Sequence, residues 1–279
     1  MSESANLIIN ADDYGYSDGV SRGILKAAEC GTVKATGILA NSPDFDRHIG
    51  WLAGYSQLDI GVHLTLTSGQ PMSSRMVSLM AEAGRTEFMS SKFSTALAVL
   101  SKKMPSSVVE EEWDCQIQRC VAAGLQVRFI NSHEHIHGLP SLYTIAQNLS
   151  KKYNIPHIRV PAPEFSSPYS QAGFVRSMAL MGLGWFIDSG RRKKEPMLIG
   201  VACSGKLNDL YMQRKLPYLL SGRTYELMCH PGYFVPGEIT DRNLLDYHDW
   251  EGELGILCDK TFLDRLHVHN IRLIGYRDL

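Results

Sequence analysis

Short apolar, β-branched runs recur along the chain. They alternate with longer stretches in which apolar residues return every three to four positions, the pattern of strands interleaved with helices. Leu7-Ile8-Ile9 predicts a buried strand that runs into Asn10-Ala11-Asp12-Asp13. Residues 19–30 predict a helix, with Val20, Ile24, Ala27 and Ala28 near a 3.6-residue period and Gly31 as its stop signal. Further strands are predicted at 36–40, 59–66, 129–133, 157–160, 198–202, 225–229 and 271–274, and further helices at 44–53, 108–123 and 142–153. This alternation favours parallel β-α-β units, and the strand count fits a barrel better than a small open sheet. Two stretches break the rhythm, the Ser- and Met-rich 68–105 and the Gly-, Met- and aromatic-containing 161–196; insertions of that length serve as lids, binding loops or extra helices. No repeat, low-complexity tract or linker divides the chain, so residues 1–279 are expected to form one domain with loop insertions.

Composition narrows the class. With 279 residues, 44% of them hydrophobic and 20% charged, the chain can bury roughly 75% of its unfolded surface without staples. Lys and Arg number 28 against 29 Asp and Glu, a net charge of −1, which lacks the basic excess of a nucleic-acid binder. The basic run Arg191-Arg192-Lys193-Lys194 reads as a solvated loop. Six cysteines stand singly at 30, 115, 120, 203, 229 and 258, which argues against a thiolate metal site and a secreted disulfide scaffold. The opening MSESANLIIN has no basic-then-apolar signal region. The most apolar segment, 174–187, contains Arg176 and falls short of the roughly 20 residues a membrane span needs. A cytoplasmic protein without stable membrane insertion is the expectation.

Catalytically useful residues gather where the predicted strands end, the face on which barrels build active sites. Asp12-Asp13 follows the first strand, His63 lies in Gly61-Val62-His63-Leu64-Thr65-Leu66, Asn131-Ser132-His133-Glu134-His135-Ile136-His137 closes the fourth, and Cys229-His230-Pro231-Gly232 follows a later one. In extended backbone His133, His135 and His137 project to one side; if the chain turns after His133, only some of them meet at one point. Imidazoles and carboxylates together suit a divalent metal. Asp12 and Asp13 cannot point the same way in an extended segment, so one can bind a metal while the other stays free as a base.

Ile9-Asn10-Ala11-Asp12-Asp13-Tyr14-Gly15 resembles the opening motif of the YdjC-like carbohydrate deacetylases. Gly61 to Leu66, Ser132 to His137, Glu226-Leu227-Met228-Cys229-His230-Pro231-Gly232 and Gly275-Tyr276-Arg277-Asp278 are similar to the family's later motifs, in order, from residue 7 to the C-terminus. The resemblance implies an irregular (β/α) TIM-like barrel and a hydrolase that removes N-acetyl groups from amino sugars or chito-oligosaccharides. It implies one divalent ion, Zn2+ or Mg2+, held by Asp13, His63 and His133, with Asp12 as general base; His230 is the candidate general acid. Asn131 departs from the family, which usually has Asp there, in a place suited to orienting a metal-bound imidazole. Aromatic faces for the sugar are sought in Tyr14, Trp185, Tyr233 and Phe234, and polar contacts in Arg159 and Glu164, which flank Pro161 and Pro163. A homodimer is the base-rate expectation.

Two other readings stay open at this point. A phosphoesterase on a similar barrel normally needs two or three metals and more Arg or Lys than these motifs carry. A sugar-binding protein without turnover has no use for the Asp12 carboxylate. A serine hydrolase is set aside, because no Gly-x-Ser-x-Gly elbow occurs.

Overall fold

The structure is a computed structural model that describes residues 3–88, 91–161, 164 and 195–279. The expectations for Pro163, Trp185, the apolar segment 174–187 and the basic run 191–194 lie outside the described residues. All eight predicted strands form: β1 (Ala5–Tyr14), β2 (Ala35–Ile38), β3 (Asp59–Leu64), β4 (Val127–Ser132), β5 (His157–Ile158), β6 (Met197–Ile199), β7 (Thr224–Cys229) and β8 (Ile271–Leu273). They pair in parallel in the order β5-β4-β3-β2-β1-β7-β6. The sheet curls into a half-barrel with helices around it. No ladder joins the edge strands β5 and β6 among the described residues. β1 is long enough to take two partners on one side: β8 pairs with its start at Ala5–Leu7 and β2 with its end from Asn10 onward, while β7 runs along the other side.

The period of two in β1 divides the molecule. Leu7, Ile9 and Ala11 belong to the large core shared with the helices, whereas Ile8 joins Ala35, Phe129, Ile274 and Tyr276 in a small cluster that plugs the base of the barrel interior. Phe129 and Tyr276 stack at 4.2 Å there, a pair worth about 0.5–1.5 kcal/mol beyond its burial. One step of two further along, the same interior faces carry Asn10 and Asp12 from β1, His63 two residues after Gly61 on β3, and Asn131 two residues after Phe129 on β4. The interior is therefore apolar below and polar at the strand C-terminal ends. Gly61 is required by this packing: a Cβ there would lie 2.3 Å from the Phe129 ring.

Helices α1 (Asp18–Glu29), α2 (Phe45–Trp51), α3 (Ser74–Glu82), α4 (Lys92–Leu100), α5 (Ser106–Ala122) and α6 (Pro140–Lys152) follow the first strands. Ser17 caps α1 by accepting from the Val20 amide, and α1 packs against β1 and the helix Trp250–Leu257. The insertion 68–105 supplies two extra helices, α3 and α4. Buried Glu112 of α5 clasps its start, accepting from the amides of Met72 at 2.9 Å and Ser73 at 2.8 Å. The strand predicted at 198–202 stops at Ile199, because Gly200 turns into the left-handed region (φ +93°) and begins a single 3-10 turn.

One expectation from the cysteines is corrected. Cys30 and Cys258, read as single residues, form a disulfide across 228 positions with a Cα–Cα distance of 5.4 Å. They are the C-caps of α1 and of the helix Trp250–Leu257. Sequence spacing cannot show a pairing that two packed helices create.

Candidate metal and catalytic site

The backbone of β1 changes course at Asp13. Its register against β2 slips between Ala11 and Tyr14, and Asp13 takes φ +70°, a left-handed conformation that Asp tolerates better than most residues. This kink lets two consecutive carboxylates serve one site, which an unbroken strand would forbid. Asp13 Oδ1 lies 2.8 Å from His133 Nδ1 and 3.1 Å from His63 Nε2, and Asp12 Oδ1 lies 4.0 Å from His63 Nδ1. The two Asp residues thus reach opposite edges of one imidazole.

Asp13, His63 and His133 are buried, and one ligand atom from each falls within 4.8 Å of the others. This oxygen–nitrogen–nitrogen donor set fits a divalent cation. Burial alone would raise the Asp13 carboxyl, but His133 and His63 hold it well below the usual carboxylate range. Burial lowers His133, and the adjoining Asp13 more than offsets that, raising the imidazole. Tyr16 stacks on His133 at 6.2 Å.

Only one histidine of the alternate triplet enters the cluster. After Ser132 the chain turns into a 3-10 segment, His133–Gly138, with Glu134 and His135 at φ +54° and +56°. His137 is swung into the protein, where Nδ1 meets Ser132 Oγ at 2.5 Å and Nε2 meets the Arg159 carbonyl at 2.9 Å. His135 packs against His137, with ring centroids 6.5 Å apart.

Asp12 is held from three sides. Arg159 grips both its oxygens, Asn131 Nδ2 donates to Oδ1 at 2.8 Å, and Asn10 Nδ2 donates to Oδ1 at 3.0 Å. Burial opposes its charge most, yet Arg159, by charge and hydrogen bond, together with the nearby His63 and His230, holds the carboxyl at about 2. Arg159 also donates from Nε and Nη2 to Glu226 Oε1 at 2.8 and 2.6 Å. Against the cost of its own burial, these two carboxylates raise Arg159 well above its ordinary value.

His230 stands just past β7. Its amide donates to Glu253 Oε2 at 2.5 Å, its Nδ1 lies 4.0 Å from that oxygen, and its charge bears on Asp12. The ring also faces His248, centroids 4.8 Å apart, and His248 stacks on Trp250 at 4.9 Å. Burial first and then His230 push His248 down to about 3, so it is a neutral imidazole.

The structure brings Asp12, Asp13, His63, His133 and Arg159 into one bonded network, with His230 beside it. Four other candidates lie apart from that network. Tyr14 is fully buried and its hydroxyl donates to the His48 carbonyl at 2.7 Å. Glu164 is engaged by the amides of Gly200 and Ala202, the Tyr211 hydroxyl and Lys215. Tyr233 and Phe234 are 40% and 47% exposed on the segment that follows His230. Arg159, sought as an open substrate contact, is instead 2% exposed and spent on two internal carboxylates. Sequence reasoning missed Asn10, Glu226, Glu253 and His248. For Glu226 a signal existed, a charge in the middle of an otherwise apolar strand; His248 gave none.

A family model described as YdjC-like protein matches residues 6–267. The chain belongs to the YdjC-like family. This YdjC-like chain is 38% identical to a carbohydrate deacetylase of Listeria welshimeri, covering 98% of this chain and 99% of the relative. It is 36% identical to a carbohydrate deacetylase of Brevibacillus brevis with the same coverage. Among solved structures, it resembles a putative cellobiose-phosphate cleavage protein from Enterococcus faecalis V583, with a TM-score of 0.68 at 24% identity over 99% of this chain and 98% of the other. That likeness shows that the two chains share a fold. No helix among the described residues is long and apolar enough to cross a membrane.

Proposed function

We propose that this YdjC-like protein is a metal-dependent carbohydrate deacetylase that hydrolyses the N-acetyl group of an amino sugar or chito-oligosaccharide. The observation that carries the reading is the division of labour between Asp12 and Asp13. Asp13 faces His63 and His133 as a cation site, while Asp12 is pinned alongside by hydrogen bonds and Arg159. The names of the relatives, at 36–38% identity over nearly full length, support the substrate class.

Asp13, His63 and His133 would hold the cation. When bound, it supplies a Lewis acid that acidifies water and polarises an amide carbonyl. Asp12, ionised at every working pH, takes one proton from the attacking water; Arg159 and Asn131 keep its oxygens in place for that transfer. His230 gives a proton to the sugar nitrogen as the C–N bond breaks, leaving acetate and a free amino sugar. Glu253 fixes His230 by holding its backbone amide. Tyr233 and Phe234 supply aromatic faces for the sugar ring next to the acid. The phosphoesterase alternative calls for more than one metal, and the described residues contain a single ligand cluster.

Acetate release from N-acetylated chito-oligosaccharides tests the reading. It is expected to vanish with a strong chelator and to return with added divalent ion. Asp12→Asn is expected to keep the metal and lose about 10²–10⁴-fold in turnover, whereas His63→Ala loses both. Full activity in the chelated enzyme removes the metal from the mechanism, and full activity in Asp12→Asn removes the assigned base.

A further inference from the structure

The side chain of Asn131 is fully buried and both ends of its amide are occupied. Oδ1 lies 2.8 Å from His63 Nδ1, and Nδ2 lies 2.8 Å from Asp12 Oδ1. An ionised carboxylate only accepts hydrogen bonds, so the amide must turn its NH2 towards Asp12. Its oxygen then faces His63, and an oxygen there requires a proton on Nδ1. In a neutral ring, the lone pair is left on Nε2, the atom 3.1 Å from Asp13 Oδ1. With the proton on Nδ1, that lone pair and the Asp13 oxygen can both face a cation. The neighbouring strand makes room for the bridge: a Cβ on Gly37 would stand 2.9 Å from Asn131 Oδ1 and 3.2 Å from the His63 ring.

We infer that Asn131 is a positioning residue that uses one rigid amide to place the Nδ1 proton of His63 and to orient Asp12. It thereby presents His63 Nε2 as a ligand before a cation arrives. The inference deepens the proposed function and rests on its assignment of Asp12 and His63.

Two measurements test the end of the amide that faces His63. Nitrogen-15 NMR of the metal-free wild-type protein reads the proton on His63 directly, and it is expected on Nδ1; a ring protonated on Nε2 alone overturns the proposal. Calorimetric titration with Zn2+ is then compared across variants. Asn131→Ala removes the acceptor and is expected to weaken zinc binding about 10–100-fold. Asn131→Asp keeps the acceptor, so it should bind zinc at least as tightly as wild type. A purely structural role would make both variants lose zinc together, and that result refutes the inference. If the wild-type protein releases no acetate from any acetylated sugar, the proposed function fails while the NMR and zinc comparisons still decide the role of Asn131.

Discussion

Arg159 binds both oxygens of Asp12, with Nη1 2.5 Å from Oδ2 and Nη2 2.9 Å from Oδ1, across 147 positions of sequence. The same guanidinium reaches Glu226, so one buried cation balances two buried carboxylates. Arg159→Met leaves both acids without a partner and is expected to cost about 3–5 kcal/mol in stability. Arg159→Lys keeps the charge but cannot span both oxygens. It is expected to fold and to lose about 10²-fold in kcat through misplacement of Asp12. Thermal unfolding and acetate release measure the two effects separately; a lysine variant with undiminished kcat rules out the positioning role.

The loop bearing His230 is clamped by backbone contact. Gly232 donates its amide to the Trp250 carbonyl at 3.1 Å and Tyr233 donates to the Gly19 carbonyl at 3.0 Å. A Cβ on Gly23 of α1 would stand 2.3 Å from Gly232 Cα, and neither backbone can yield without moving the loop. Gly23→Ala is therefore expected to destabilise the protein by about 1–3 kcal/mol and to lower kcat while leaving Zn2+ affinity unchanged, since no ligand lies on that loop. Equal losses in kcat and metal binding would show that the loop is not the part disturbed.

The disulfide closes a loop that spans 228 positions. Because Cys30 and Cys258 end two helices that pack on each other, the bond constrains the unfolded chain more than it shapes the folded one. Reduction is expected to remove about 2–4 kcal/mol of stability. Melting curves with and without a thiol reductant should diverge for the wild-type protein and coincide for Cys258→Ser. Coincident curves in the wild type would mean the bond contributes nothing.

The strands and main helices were legible because their apolar periods are long and unbroken, and the strand ends showed where chemistry would collect. The convergence of Asp13, His63 and His133 was legible only through the family resemblance. The kink at Asp13 that makes it possible depends on one backbone angle and a register slip, which no residue pattern encodes. The alternate spacing of His133, His135 and His137 suggested a shared face, and the left-handed turn at Glu134 and His135 dispersed them. Arg159 looked like a substrate contact because an arginine at a strand end is usually open. Its two buried acids, Asp12 and Glu226, come from strands far away in sequence.

The fate of His137 has a consequence for stability at mild acid pH. Burial foremost, aided by the charge of Arg159, lowers this imidazole from about 6.5 to about 4 in the folded protein. Above pH 6.5 neither the folded nor the unfolded chain carries the proton, and the group is silent. Between pH 6.5 and 4 the unfolded chain takes up a proton that the folded chain refuses, so stability falls with pH, by about 3 kcal/mol over the whole window. Below pH 4 both states are protonated and the loss stops growing. His137→Gln can still bridge Ser132 and the Arg159 carbonyl without titrating. Urea unfolding of metal-free protein at pH 7.5, 6 and 5 is expected to show a shallower pH slope for this variant than for the wild type. Parallel slopes would mean that His137 takes up its proton in the folded protein as readily as in the unfolded chain, and that burial does not hold it neutral.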